Sequence, residues 1–172
     1  MAKYQFSWDL IGDVYDGRPN LGKEAGVEMY RLMQYTLRDI LAQKFGVEET
    51  DDIFFKAGYL AGCEFYGRYI DPVSCLDEFV SKSQKVLREK KIGILRIEEI
   101  GAHLEKVILA VDEDLDCSGL PELDYDICIY DEGFISALFE CFTKQPWSAK
   151  EIDCWCTGAR TCRFIVTPLD KR

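Results

Sequence analysis

Hydrophobic positions in the first half of the chain recur every three or four residues, which is typical of amphipathic helices. One helix is expected over residues 21–45, which Asn20 can cap and which Gly46 ends. A second is expected over residues 51–69. A third should follow the Asp-Pro pair at 71–72, with Ser74 as its N-cap. The first half of the chain is therefore predicted to form three helices.

Two glycines interrupt the second predicted helix. Gly58 and Gly62 are four residues apart, so they share one face of the helix. Because glycine inside a helix costs about 1 kcal/mol relative to alanine, we expect this face to need close contact with a neighbouring helix.

The hydrophobic period then changes to that of strands. A first hairpin with a short turn is expected at 94–98 with 106–111, and a second at 148–156 with 161–167. A fourth helix, at 125–143, is expected between them. Strands joined by short turns are antiparallel. The order of three helices, hairpin, helix and hairpin predicts an α+β fold in which helices pack on a four-stranded antiparallel sheet.

Length and composition narrow the possibilities further. The 172 residues, 48% of them hydrophobic, suit a single domain over 1–172. No apolar run reaches the roughly 20 residues of a membrane span, and the first residues do not resemble a signal peptide, so we expect a cytoplasmic protein. The net charge of −10 argues against direct binding to nucleic acid.

Eight cysteines are the main chemical feature of the sequence. In a reducing cytoplasm each is either a small core residue or a metal ligand. Cys154 and Cys162 are expected on opposite arms of the last hairpin, and Cys156 shares the face of Cys154. Glu151 falls on the other face by strict alternation, so it joins them only if the strand has a bulge or begins near Ile152.

Thiolates and a carboxylate suit zinc, which binds such ligands in a tetrahedron. Three thiolates and one carboxylate would leave no open position for water, so the site would be structural rather than catalytic. Spacing alone leaves the alternative of buried, reduced cysteines equally open.

The C-terminal segment resembles the 4-vinyl reductase domain, a family of predicted hydrocarbon-binding proteins. The residues that match its motif are Glu151, Cys154, Gly158, Cys162 and Phe164, with Cys128 and Gly133 upstream. In phenol-sensing members these positions bind zinc, so the resemblance implies a structural zinc ion held by Cys128, Glu151, Cys154 and Cys162. Cys117 or Cys156 could replace one of these ligands.

The resemblance also implies a fold and partners. The family fold resembles that of a vesicle-tethering subunit and of nitric-oxide signalling ligand-binding domains, usually as a homodimer. Members fused to transcription activators bind small aromatic molecules between sheet and helices. The corresponding pocket candidates, which could equally be ordinary core, are Leu95, Ile97, Val107, Leu109, Phe134, Leu138 and Phe142.

These observations favour a non-catalytic, zinc-containing module that binds a small apolar or aromatic molecule as a sensor or carrier, with a separate regulatory protein as a further candidate partner. The alternatives are an accessory protein in tetrapyrrole (vinyl group) metabolism and a dimeric scaffold without a ligand. An enzyme is not expected, because the sequence has no dinucleotide-binding fingerprint and His103 is its one histidine.

Overall fold

The computed structural model describes residues 4–123 and 125–169, in which helices pack against a four-stranded antiparallel sheet. The helices are α1 (Val14–Gly17), α2 (Val27–Phe45), α3 (Val47–Phe65), α4 (Leu76–Glu89) and α5 (Ile129–Thr143). The strands are β1 (Ile94–Ile100), β2 (Val107–Asp112), β3 (Trp147–Asp153) and β4 (Cys162–Pro168). The predicted α+β class and the order of the two hairpins around a helix are confirmed.

The sheet has the strand order β1-β2-β4-β3, so the two hairpins meet through β2 and β4. Leu109 pairs with Phe164 at this junction, and both side chains are buried. Alternate residues of β4, namely Cys162, Phe164 and Val166, are all fully buried. This alternation directs one face of the sheet toward the core, which α4 and α5 cover.

The starts of the first two long helices differ from the sequence-based expectation. Helix α2 begins at Val27 rather than near residue 21, because the chain first forms a turn in which the Gly22 N–H donates to the Arg18 carbonyl. Gly22 has a φ of 70°, in the left-handed region, and this conformation breaks a helix. Helix α3 begins earlier than expected, directly after Gly46, and a π-helical turn at Tyr66–Ile70 follows its end.

The other helices also begin at different residues. Cys75, not Ser74, is the N-cap of α4, and the Glu78 carboxylate accepts hydrogen bonds from the backbone N–H and the hydroxyl of Ser74, at 2.8 and 2.9 Å. Helix α5 begins at Ile129 with Cys128 as its N-cap, four residues later than expected. Hydrophobic spacing by itself locates the start of a helix only to within a few residues.

Close packing of α3 on α5 explains the helical glycines. A Cβ atom added to Gly58 would lie 1.9 Å from the carbonyl oxygen of Tyr130, and one added to Gly62 would lie 2.5 Å from that of Phe134. From the other side, a Cβ on Gly133 would lie 2.0 Å from the carbonyl oxygen of Phe55. The two backbones are therefore in direct contact, as the glycine spacing predicts. Helix α5 is held between α3 and β3.

Candidate functional site

Four cysteines from separate parts of the fold meet in the core. Cys117 lies in the loop after β2, Cys128 caps α5, Cys154 follows β3, and Cys162 begins β4. All four are fully buried, and their sulfur atoms lie within 4.8 Å of one another. We call Cys117, Cys128, Cys154 and Cys162 the cysteine cluster.

Two of the sulfur–sulfur distances in the cluster match those of a tetrahedral metal site. With a Zn–S bond of about 2.3 Å, sulfurs at the corners of a tetrahedron lie about 3.8 Å apart. The Sγ of Cys128 is 3.7 Å from that of Cys154 and 3.8 Å from that of Cys162. The Sγ atoms of Cys117 and Cys162 are closer, at 3.0 Å. The cluster therefore has the size and donor chemistry of a thiolate metal site.

Glu151 lies beside this cluster because β3 contains a bulge, which places its side chain on the same face as Cys154. The pairing of β3 with β4 shifts register between Glu151 and Asp153, so Ile152 is the extra residue. Glu151 is 4% exposed, and neither carboxylate oxygen has a hydrogen-bond partner within residues 4–123 and 125–169. Burial, followed by the charges of Cys154 and Cys162, raises its pKa to about 11.

The structure thus brings together three of the four predicted zinc ligands, with the fourth buried alongside them. It adds Cys117, which sequence reasoning kept as an alternative ligand. Cys156 is also fully buried but lies outside the cysteine cluster. Two side chains, Cys117 and Glu151, are therefore candidates for the fourth position of a tetrahedral site.

The thiols of the cysteine cluster differ in how readily they lose a proton. Hydrogen bonds from Cys117, Cys128 and Cys162 hold the pKa of the Cys154 thiol well below its usual value. Hydrogen bonds to the neighbouring cysteines, together with burial, raise the pKa of Cys128. If all the thiols lost their protons, the resulting thiolates would repel one another at this separation. A divalent cation bound among them would offset that repulsion.

Helix α2 fixes the loop that carries Cys117. The Tyr30 hydroxyl donates to Asp116 at 2.8 Å, and the Arg31 side chain donates to the carbonyls of Leu115 and Ser118 at 2.8 and 3.0 Å. Within the loop, the carboxylate of Asp114 accepts from the Cys117 N–H at 3.0 Å. These bonds position a cysteine that is distant in sequence from the C-terminal motif.

Two buried polar residues of α5 hold β3 at the site, and sequence reasoning missed both. A carboxylate oxygen of Glu132 accepts from the Glu151 N–H at 2.9 Å and from Lys150 Nζ at 2.8 Å. The Ser136 hydroxyl donates to the Glu132 carbonyl at 2.6 Å and accepts from the Ala149 N–H at 2.8 Å. Their four-residue spacing on a largely apolar helix was the available signal.

A cavity of about 40 Å³ lies between α4, α5 and the sheet. Five of the seven predicted pocket residues line it, namely Leu95, Ile97, Leu109, Phe134 and Leu138. Val107 and Phe142 are not among its lining residues, and Phe142 instead stacks on Phe79 with ring centroids 4.5 Å apart. His103 is exposed in the turn between β1 and β2.

Ser83 places an unpartnered hydroxyl at this cavity. It is 2% exposed, and its Oγ has no hydrogen-bond partner among the described residues. Because a buried polar group without a partner is unfavourable, Ser83→Ala should raise the free energy of unfolding by up to about 1 kcal/mol. Ser136→Ala, the matched control, should lower it by about 1–3 kcal/mol because it leaves the buried N–H of Ala149 without a partner. Urea denaturation measures both, and equal losses in the two variants would contradict the expectation.

No helix in the part of the chain that the structure describes is long and apolar enough to cross a bilayer.

Comparison with known proteins agrees with this geometry. A family model for the 4-vinyl reductase domain matches residues 107–168, the segment that contains all four cluster cysteines. An uncharacterized protein of Methanocaldococcus jannaschii is 26% identical over 132 residues, which cover 77% of this chain and 71% of that protein.

Solved structures share the fold at low sequence identity. A vinyl-4-reductase family protein from Methanocaldococcus jannaschii has a TM-score of 0.65 at 13% identity and covers 99% of this chain and 100% of its own. The phenol-responsive sensory domain of the transcription activator PoxR, crystallised with phenol, has a TM-score of 0.63 at 13% identity, covering 77% and 71%.

The wider fold relationship is confirmed as well. A trafficking protein particle complex subunit 3 from Naegleria fowleri, covalently bound to palmitic acid, has a TM-score of 0.66 at 13% identity, covering 84% and 95%. An H-NOX protein from S. oneidensis has a TM-score of 0.54 at 14% identity, covering 80% and 74%. These likenesses show a common fold. The separate family-model match over residues 107–168 agrees with the resemblance of the C-terminal motif to the 4-vinyl reductase domain.

Proposed function

We propose that this protein is a non-catalytic, zinc-containing module that binds a small apolar or aromatic molecule as a sensor or carrier. The observation that carries the proposal is the position of α5. The helix begins at Cys128 in the cysteine cluster, and its Phe134 and Leu138 line the apolar cavity. One helix would therefore join the metal site to the ligand site.

Zinc would have a structural role in this module. Cys128, Cys154 and Cys162, with either Cys117 or Glu151, would complete its tetrahedron and leave no position for a reacting water. The metal would tie the start of α5 to the last hairpin. Because such binding energy contributes to folding, the site would stabilise the part of the protein that also forms the cavity.

The ligand would enlarge the cavity on binding. An engineered apolar cavity of about 150 Å³ binds benzene, whereas this one measures about 40 Å³. Helix α4 supplies Phe79, Ser83 and Leu87 to the wall opposite the sheet, so outward movement of α4 would make room. A ligand shifts this equilibrium by as much as it prefers the enlarged state. The phenol and the palmitic acid held by the two structural neighbours support an apolar ligand class.

Helix α2 supports the further proposal of a homodimer. Its exposed side carries a row of large apolar side chains at helical spacing: Met29, Leu32, Met33, Leu37 and Ile40. Such a face is commonly covered by another protein surface. A second copy of the chain, or a separate regulatory partner protein, would bury it in the cytoplasm.

Two other functions compete with the sensor. The small size of the cavity favours a dimeric scaffold without a ligand, and the family name suggests an accessory protein in tetrapyrrole metabolism.

Native mass spectrometry of protein taken directly from cells tests the proposal. We expect one zinc per chain, a dimer, and a retained small molecule that Leu95→Trp removes by filling the cavity. Ile100→Trp is the matched control, because Ile100 lies exposed at the end of the same strand. If no molecule is retained, and neither toluene nor phenol shifts the NMR signals of the cavity residues, the scaffold replaces the sensor.

A further inference from the structure

A second pocket lies on the other side of Asp131, away from the sheet. Its volume is about 310 Å³, and it is bounded by the N-terminal segment, α2, α3 and the first turns of α5. It shares Ile92, Asp131 and Phe134 with the smaller cavity. The site proposed for zinc and an apolar ligand leaves this pocket without a role.

Aromatic side chains dominate the wall of this pocket. They include Trp8, Tyr30, Phe65, Tyr130 and Phe134. The rings of Phe65 and Phe134 pack edge to face with centroids 5.2 Å apart, so the wall is continuous between α3 and α5. Faces of aromatic rings carry partial negative charge and attract cations within about 6 Å.

The ionisable carboxyl groups of the pocket have no cationic partner in its wall. Glu64, Asp116 and Asp131 line it, and its described lining residues include no lysine, arginine or histidine. Asp116 already accepts hydrogen bonds from Tyr30 and Gln34, at 2.8 Å each. Asp131 differs, because its Oδ2 is buried and has no hydrogen-bond partner among the described residues. Native proteins rarely leave such an oxygen unsatisfied.

A cation placed beside Asp131 would supply the partner that this carboxyl group lacks.

We propose that this pocket binds an organic cation, with a substituted ammonium group against the aromatic rings and beside Asp131. Aromatic rings combined with carboxylates are the chemistry that recognises ammonium ions. The same carboxylates repel fatty acids, phenolates and other anions. The site goes beyond the sensor function proposed above and would be occupied independently of the apolar cavity, although Asp131 and Phe134 line both.

Choline and its uncharged isostere 3,3-dimethylbutan-1-ol test the proposal, because they differ in charge but hardly in shape. Isothermal titration calorimetry should show choline binding at least about tenfold more tightly. Asp131→Asn should remove most of this preference. Asp126→Asn is the matched control, since it removes the same charge from an exposed position outside the pocket and should leave the preference unchanged.

Trp8→Leu provides a second variant that does not disturb the helical core, because Trp8 lies in the N-terminal 3-10 turn Trp8–Ile11. It keeps apolar bulk but removes the aromatic face, so choline should bind about three- to tenfold more weakly relative to the isostere. Leu95→Trp, which fills the other cavity, should not change choline binding. Equal affinity for both probes, binding of neither at millimolar concentration, or equal losses in Asp131→Asn and Asp126→Asn would overturn the proposal.

Discussion

Gly133→Ala is expected to lower the free energy of unfolding by about 3 kcal/mol or more. The added methyl group would lie 2.0 Å from the carbonyl oxygen of Phe55 and 2.8 Å from the N–H nitrogen of Tyr59, both backbone atoms of α3. Backbone cannot rotate away as a side chain can, so α3 and α5 would have to separate. Since α5 also contacts β3, the separation would disturb packing on both sides of the helix. Denaturation in urea measures the loss.

Gly67→Ala is the matched control for this substitution. Gly67 lies in the π-helical turn, and a Cβ added there meets nothing within 4 Å. We expect a change of less than about 1 kcal/mol, in the stabilising direction, because alanine restricts the unfolded chain more than glycine does. Similar losses at Gly67 and Gly133 would show that helix contact is not the cause.

Cys154→Ser is expected to abolish metal binding and to lower the stability of the zinc-loaded protein by several kcal/mol. Cys154 is fully buried and its sulfur lies 3.7 Å from that of Cys128, so the serine oxygen would leave the site one thiolate short. Elemental analysis and thermal denaturation measure the two effects. A chelator should reduce the stability of the wild-type protein toward that of the variant.

Cys75→Ser is the control for the loss of a thiol as such. Cys75 is exposed at the start of α4 and lies outside the cysteine cluster, so this variant should keep its zinc and its stability. If Cys154→Ser retains a full equivalent of zinc, the cluster is not the metal site and its cysteines are ordinary core residues.

Cobalt substitution distinguishes the two candidates for the fourth ligand. The intensity of sulfur-to-cobalt charge-transfer absorption rises with the number of thiolates, so Cys117→Ser should weaken it if the site has four cysteines. Glu151→Gln should then leave it unchanged. Unchanged charge-transfer absorption in Cys117→Ser, together with weaker cobalt binding or shifted d–d bands in Glu151→Gln, would assign Glu151 as the ligand, in agreement with the motif.

Local sequence patterns were sufficient for much of the fold. The positions of the two hairpins, the helix between them, and the close packing required by Gly58 follow from neighbouring residues, because short turns and helical spacing are local properties. Helix starts were less accurate. Val27 and Ile129 begin their helices after irregular segments, and the N-cap of α4 is Cys75 rather than Ser74, which instead donates to the Glu78 carboxylate.

The C-terminal motif by itself indicated that Cys128, Cys154 and Cys162 belong to one site, and strand alternation indicated that Glu151 approaches it only through a bulge or a strand start near Ile152. Only the tertiary structure decided that Cys117 joins them, because α2 must hold its loop through contacts more than 80 residues away in sequence. Tertiary packing likewise places the Glu132 carboxylate where it accepts a hydrogen bond from β3, and it places Asp131 in the lining of two pockets. Hydrophobic periodicity reports which face of an element is buried, whereas the distance between two buried side chains depends on how all the elements pack.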